Sequence, residues 1–277
     1  MANYTKLSIH ATEEQGEILS AYLAEFPFDS FDYGEGLFNA YIPQSEFEVW
    51  HDAVEDMLHN EGILDYYFEG IEAQNWNAVW ESNFEEVEVK GEVLIRAPFH
   101  NSRPHYNGLD VVIQPKMSFG TGHHATTRLM VEMLLGSEVK GKRILDMGSG
   151  TGVLAIVAAK LGAESVMAVE IDDMAEESVR ENIELNGVAD KIISVLGDAS
   201  AIEGKEFDIV LANINRNILL ADMGAYAKTL SKGGELVMSG FLKEDIAILA
   251  KQAKKLGFKQ ALQLSCDEWQ ALRFIKN

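Results

Sequence analysis

Asp146-Met147-Gly148-Ser149-Gly150-Thr151-Gly152 stands directly between the apolar pair Ile144-Leu145 and the apolar run from Val153 to Leu161. A buried strand, a glycine loop and a helix in that order put bare backbone at the carboxyl edge of a sheet, where a ligand can approach it closely. The glycines fall at alternate positions, GxGxG. That differs from the GxGxxG spacing that seats a dinucleotide pyrophosphate on a helix N-terminus, and no Walker lysine follows. Taken alone, the seven residues also fit a glycine-rich structural turn.

The continuation decides between the two readings. Val169-Glu170-Ile171-Asp172 closes the next strand-like run, so Glu170 stands at the sheet edge about twenty residues beyond the glycines, where a carboxylate can accept two ribose hydroxyls. Gly197-Asp198 closes the third run in the same manner, with Asp198 readable either as a contact to an adenine amino group or as a helix cap. Leu211-Ala212-Asn213-Ile214-Asn215 closes the fourth, where Asn213 is either a turn former or a neutral amide whose oxygen can accept a hydrogen bond from an amine. Between these ends the periodicity predicts helices over 125–135, 153–161, 174–186, 218–230 and 245–256. Strands are predicted over 144–145, 166–171, 192–196, 209–212 and 236–238, followed by two closing strand-like runs. Alternating strand and helix predicts a parallel, doubly wound Rossmann-like α/β sheet.

The first seventy residues follow another pattern. Residues 4 to 10 alternate apolar and polar, and Thr12 and Gln15 have the spacing of a capping box at the start of a helix. Two short β-type runs flank Gly34-Glu35-Gly36, a helix spans Ser45 to about His59, and Tyr66 to Ile71 closes the segment as a strand. The order βαββαβ is the split ferredoxin-like unit. A short helix over Asn75 to Asn83, with Trp76 and Trp80 on one face, is expected to connect it to the rest. The expected division is therefore a ferredoxin-like domain over 1–72, a connector over 73–84 and a second domain over 85–277. Val87–Val89, Val93–Ile95 and Leu109–Ile113 are further strand-like runs at the start of that second domain.

Charge separates the same regions. The chain has 277 residues with 23 Lys and Arg against 44 Asp and Glu, and its first hundred residues hold 3 of the bases and 21 of the acids. That field repels a phosphate backbone, so direct nucleic-acid binding is not expected; it suits a solvated surface or a docking face for a basic partner. A single cysteine, Cys266, excludes an internal disulfide and a cysteine-based zinc cluster. His123 and His124 lack the spacing and nearby acids of a metal site. With no apolar start and no long apolar stretch, a cytoplasmic protein without membrane contact, and a monomer, is expected.

Glycine loop, acid and Gly-Asp on three successive strand ends resemble the fold of class I S-adenosylmethionine-dependent methyltransferases. Ser118-Phe119-Gly120-Thr121-Gly122-His123-His124-Ala125-Thr126-Thr127 narrows the match, since it resembles the FGTGxHxTT segment of ribosomal protein L-eleven methyltransferases. Trp76-Asn77-Ala78-Val79-Trp80, Ala212-Asn213-Ile214 and the small domain in front are similar to that family too, so the resemblance spans essentially the whole chain. The resemblance implies S-adenosylmethionine as cofactor and ribosomal protein L-eleven as substrate. It also implies N-methylation of lysine side chains and of the N-terminal α-amine, and a front domain that grips the ribosomal protein.

It makes Thr127, Gly148, Gly150, Glu170, Asp198 and Asn213 cofactor contacts, with Phe119, Gly120 and Thr121 in a loop over the methionine end and Asn213 as the amine-positioning residue. The family usually has Asp where this chain has Glu170. The alternatives are an N-methyltransferase acting on a nucleic-acid base or a small amine, and a catalytically idle protein that binds the cofactor as a signal.

Overall fold

The computed structural model describes residues 4–34, 36–71, 84–115 and 120–277. The expected connector helix with Trp76 and Trp80, and Phe119 of the second motif, lie outside the described residues. The chain divides into two compact units, Met1–Phe84 and Glu85–Asn277.

The first unit runs β1 (Tyr4–His10), α1 (Glu13–Leu23), β2 (Ser30–Gly34), β3 (Leu37–Pro43), α2 (Gln44–Asn60) and β4 (Tyr66–Ile71). Its sheet has the order β2-β3-β1-β4, and every neighbouring pair is antiparallel. This is the topology the βαββαβ order predicts. The capping box forms: the Gln15 amide donates to Thr12 Oγ1 at 3.3 Å, and the Thr12 amide donates to Gln15 Oε1 at 2.8 Å. Strict alternation along β3 sends Phe38, Ala40 and Ile42 inward against Leu7, Ile9, Leu19, Leu23, Val54 and Leu58, which makes one small core.

In the second unit β5 (Val87–Val89), β6 (Val93–Arg96) and β7 (Leu109–Val112) form a separate three-stranded sheet. After α3 (Ala125–Leu135) the chain alternates as β8 (Arg143–Met147), α4 (Val153–Lys160), β9 (Ser165–Glu170), α5 (Asp173–Leu185) and β10 (Ile192–Leu196). It continues with β11 (Phe207–Asn213), α6 (Arg216–Thr229), β12 (Leu230–Leu242), α7 (Ile246–Lys255), β13 (Phe258–Cys266) and β14 (Trp269–Lys276). The seven-stranded sheet has the order β10-β9-β8-β11-β12-β14-β13. One apolar cluster lies under α3, α4 and α5, and a second under α6 and α7, so the sheet is covered on both faces.

The sheet is mixed where the alternation predicts a parallel one. β14 lies between β12 and β13, antiparallel to both, because the turn at Asp267 (φ 52°) folds it straight back along β13. β12 is also longer than the expected 236–238 run; it continues through an irregularity between Met238 and Phe241, at Gly240 (φ +92°).

Asn182 on α5 and Asn186 at its C-cap tie the small sheet to this scaffold. Asn186 mimics a strand partner for Val112, accepting from its amide at 2.9 Å and donating to its carbonyl at 2.6 Å. Fully buried Asn182 accepts from the Gln114 amide at 2.8 Å and donates to the Thr151 carbonyl at 2.9 Å, joining the chain beyond β7 to the glycine loop. Beside them the Arg96 guanidinium clasps Asp110 with two bonds of 2.8 Å, and Lys160 donates to the Asp110 carbonyl at 2.6 Å. Burial holds the Lys160 amine below the ordinary lysine value.

Replacing Asn182 by Ala strands both a buried amide and a buried carbonyl, so Asn182→Ala is expected to lose on the order of 2–4 kcal/mol of stability. Urea titration followed by tryptophan fluorescence reads the loss; an unchanged midpoint would mean that water replaces the carboxamide.

Candidate functional site

The glycine loop leaves β8 at Met147, Glu170 ends β9, Asp198 follows β10 and Asn213 ends β11. Because β8, β9 and β11 are parallel and in register, with Met147 opposite both Val169 and Ala212, these ends share one edge of the sheet. Strand order reverses between β8 and β11, so the loop occupies the topological switch point, where open α/β sheets leave a crevice for ligands.

All three loop glycines have positive φ, at 70°, 57° and 79° for Gly148, Gly150 and Gly152. At Gly148 space adds to conformation, since a Cβ there would come within 2.4 Å of Ile214 Cγ2. Gly240 meets the same segment from β12, where a Cβ would come within 2.4 Å of the Ile214 carbonyl oxygen. Two bare glycines thus admit the Asn213-Ile214 turn against the loop.

Side chains brace the loop from several directions. Glu170 is nearly buried, at 9 % exposure, and its Oε2 accepts from the Gly150 amide at 2.8 Å. Its Oε1 accepts from Ile171 and Asp172 amides at 2.9 and 3.3 Å. Thr151 Oγ1 donates to the Gly120 carbonyl at 2.7 Å, which joins the loop to the second motif. Glu170 therefore supports the glycine loop in addition to standing at its edge, and a carboxylate with about four acceptor positions has one to spare. Ile171 and Met174 beside it are exposed large apolar side chains.

Of nine buried side-chain polar atoms without a hydrogen-bond partner among the described residues, four stand together here: Thr127 Oγ1, Asp146 Oδ1, Ser149 Oγ and Asn213 Oδ1. All four belong to the loop, to the strand end on either side of it or to the first turn of α3. Buried unpaired polar groups are costly, and their concentration at a sheet edge marks a place built for a polar ligand. Burial, reinforced by the charge of Glu170 and opposed by the Ala155 amide on Oδ2, pushes the Asp146 carboxyl from 3.8 up to about 7.

Asp198 takes the capping role. Its Oδ1 accepts from the Ser200 amide at 2.8 Å and starts a short 3-10 turn, Ala199–Ile202, and the Ser200 hydroxyl and amide hold its carboxyl below the usual range. The adjacent histidines diverge. His123 reaches Thr121 Oγ1 at 3.1 Å and the Glu85 carbonyl at 2.9 Å, whereas His124 caps α3 and sets its ring edge on Trp269 at 4.7 Å. Burial, with Arg128 nearby, lowers the His124 pKa. No group of side chains suited to a metal ion occurs among the described residues.

Sequence spacing does not reveal Trp269 or Asn182. Trp269 lines a cavity of about 340 Å³ with Asn215, Gly240, Phe241 and the ion-paired Arg216 and Asp245, next to the Asn213 turn. Asn182 does leave a signal, being a polar residue on the otherwise inward face of α5 with Val179 and Ile183.

Asp146 stabilises the fold in its protonated form. That contribution is complete below the unfolded value near 3.8 and is lost as pH rises through about 7. Asp146→Asn is therefore expected to flatten the fall of melting temperature between about pH 4 and about pH 7 relative to the parent. Parallel melting curves for the two proteins would refute this assignment.

Comparison with known proteins agrees with the geometry. The family model described as Ribosomal protein L11 methyltransferase (PrmA) matches residues 30–277. The Ribosomal protein L11 methyltransferase of Porphyromonas gingivalis is 45% identical over 263 residues, covering 93% of this chain and 90% of the relative. That of Bacteroides fragilis is 43% identical over 270 residues, covering 95% of each. Among solved structures, the ribosomal protein L11 methylase of Lactobacillus delbrueckii subsp. bulgaricus superposes with a TM-score of 0.64 at 26% identity, over 70% of this chain and 100% of that one. A methyltransferase from Pyrococcus furiosus shares the fold at a TM-score of 0.51 and 20% identity, over 60% of this chain and 88% of its own. A glycine loop, a strand-end acid and a strand-end asparagine at one switch point, inside a match that runs to the last residue, place the chain in the ribosomal protein L11 methyltransferase family.

Proposed function

We propose that the chain transfers methyl groups from S-adenosylmethionine to amino groups, lysine side chains and the N-terminal α-amine, of ribosomal protein L-eleven. The observation that carries this reading is Asn213 Oδ1, a buried amide oxygen without a partner among the described residues, at the end of β11 beside the glycine loop. In the same proposal residues 1–72 recognise the protein substrate, 73–84 connect, and 85–277 carry out transfer. A ribosomal substrate is in keeping with a cytoplasmic enzyme.

The residues at the edge suit the cofactor. Its ammonium, carboxylate and ribose hydroxyls are the kind of partners that Thr127 Oγ1, Asp146 Oδ1 and Ser149 Oγ lack. Gly148 and Gly150 offer bare backbone, Glu170 has one acceptor position left for a ribose hydroxyl, and Ile171 with Met174 provides an apolar ledge for a purine. Asp198 keeps its second carboxylate oxygen for the adenine amino group while Oδ1 caps the turn. Gly120 and Thr121, fastened through Thr151 and His123, belong to the loop proposed for the methionine end. When bound, S-adenosylmethionine supplies a methyl group made electrophilic by its sulfonium charge.

What remains for the chain is to present a neutral amine in line. A free lysine with pKa ~10.4 is neutral in about one molecule in 2,500 at pH 7, whereas an α-amine near ~8 is neutral in about a tenth. Desolvation beside the cationic cofactor shifts either amine toward the neutral form. Asn213 Oδ1 then accepts an N–H of the amine and holds its lone pair toward the methyl group, a matter of orientation and not of proton abstraction. The released proton passes to water.

Asn213→Ala is expected to lower kcat by about 100-fold while leaving the affinity for S-adenosylhomocysteine within a few-fold. Glu170→Ala is expected to do the reverse and weaken that affinity first. Titration calorimetry and methyl-transfer kinetics separate the two effects, and turnover kept within a few-fold in Asn213→Ala would reduce the residue to a turn former. Radiolabel transferred into a lysate and then lost to protease but retained under nuclease supports the protein substrate; the opposite pattern rejects it.

A further inference from the structure

Residues 1–84 carry one lysine, Lys6, against 17 Asp and Glu. Lys6 is already paired with Glu69 at 2.7 Å, so this unit presents essentially unopposed negative charge. Two surfaces on it could meet a partner. The first is the sheet face turned away from the helices, which carries Lys6, Ser8, Asp32, Asn39 and Tyr41. Its polar groups satisfy one another: Ser8 donates to Asn39 at 2.8 Å, and Asn39 and Tyr41 donate to Asp32 at 2.7 and 2.6 Å. Opening that network to a ligand would exchange made hydrogen bonds for new ones, with little net gain.

The second surface is a groove of about 400 Å³ between α1 and the loop joining α2 to β4. Ile18 and Tyr22, one helical turn apart on α1, face it together with Ile63 and Leu64 of the loop, while Glu61 and Asp65 stand among them. Leu64 is 78 % exposed and Ile18 54 %, whereas Leu19 and Leu23 of the same helix as Ile18 are buried in the core. The loop is nonetheless well fixed, since the Ile63 amide donates to the Leu58 carbonyl at 2.8 Å and the His10 amide to the Asp65 carbonyl at 3.3 Å. His10 is the single imidazole lining the groove, and no lysine or arginine lines it among the described residues.

We propose that this groove, formed by Ile18, Tyr22, Ile63 and Leu64 and edged by Glu61 and Asp65, docks a basic segment of the protein substrate through one apolar side chain flanked by lysine or arginine. The inference rests on the protein-substrate reading above and adds the place of contact. Exposed apolar area in a concavity gives a short-range anchor, and the carboxylates select a cationic neighbour and speed encounter. A second copy of this chain is the poorer occupant, because two such units repel each other. The volume is that of one or two large side chains, which suits an anchor better than an interface of full size.

Calorimetric binding and methylation kinetics with recombinant ribosomal protein L-eleven, run on the full chain, test the proposal. The double variant Ile18→Ser/Leu64→Ser is expected to raise Kd and KM for the protein about tenfold. Its kcat, its S-adenosylhomocysteine affinity and the salt dependence of binding should stay as in the parent. Glu61→Gln/Asp65→Asn is expected to weaken binding at low salt and to flatten its decline as salt shortens the Debye length to about 8 Å. Val49→Ser, an exposed change on α2 outside the groove, should have no effect.

Unchanged Kd in the apolar variant, with the parent binding normally, overturns the groove alone. Loss of binding in Asp32→Asn but not in the groove variants moves the contact to the sheet face and also overturns it. Sedimentation showing a parent dimer that the apolar variant abolishes assigns the groove to a second copy. A parent that neither binds nor methylates the ribosomal protein overturns the groove and the underlying function together.

Discussion

A loop of three left-handed glycines has no conformational preference strong enough to hold a single shape, and everything at the sheet edge depends on how this one is held. Glu170 fixes it at the Gly150 amide, Asn182 at the Thr151 carbonyl, and Thr151 passes the constraint on to Gly120 through its hydroxyl. All three bracing side chains are at most 9 % exposed, so their bonds are shielded from competing water. The small three-stranded sheet serves the same end. It is tied through Asn186 and Asn182 to α5, and the chain beyond β7 at Gln114 shares its bond partner with the glycine loop.

That rigidity permits what would otherwise be a defect. Thr127, Asp146, Ser149 and Asn213 each bury a polar atom without a partner, and each such atom costs on the order of 1–3 kcal/mol in an ordinary interior. Groups free to move would relieve the cost by turning to water. Held in place, they stay available for a ligand that completes their hydrogen bonds, and the free energy recovered then appears as affinity. Asp146 shows the same tension in its titration, because burial makes its neutral form the comfortable one up to about pH 7.

The sequence discloses this site where function depends on position along a strand, and conceals it where function depends on contacts between distant segments. Glycine loop, Glu170 and Asn213 are legible because each follows an apolar run, and parallel strands bring such ends together automatically. The βαββαβ unit is legible for a similar reason: alternation, a capping box and a glycine turn are all local. The insertion of β14 between β12 and β13 is not local, since it depends on which edge is free after β12 and on the fold-back at Asp267. Asn182 bonds partners 68 and 31 residues away, and no spacing rule connects those. Glu170 is half legible: its place at the edge follows from the strand, but its reach back to the Gly150 amide is a matter of side-chain conformation. For Asp198 both readings begin from the same residue, and the cap on the next turn forms through Oδ1.

Charge is distributed in a way that fits the chemistry of amines. Residues 1–84 hold 17 acids and one base, whereas residues 85–277 hold 27 acids and 22 bases, so the strong field belongs to the unit without the glycine loop. An acidic surface attracts a basic protein in its protonated, cationic form, and that is useful for encounter. At the point of transfer the same attraction would be harmful, because a carboxylate beside the amine raises its pKa and keeps the lone pair occupied by a proton. An amide oxygen avoids this. In the proposed reaction Asn213 would accept a hydrogen bond as a carboxylate does but carries no charge to favour the ammonium, so it would orient a neutral amine without holding it in the unreactive state. Under the proposed function, acids carried by the first unit and a neutral acceptor carried by the second let one chain attract cationic substrates without the acceptor itself holding the amine protonated.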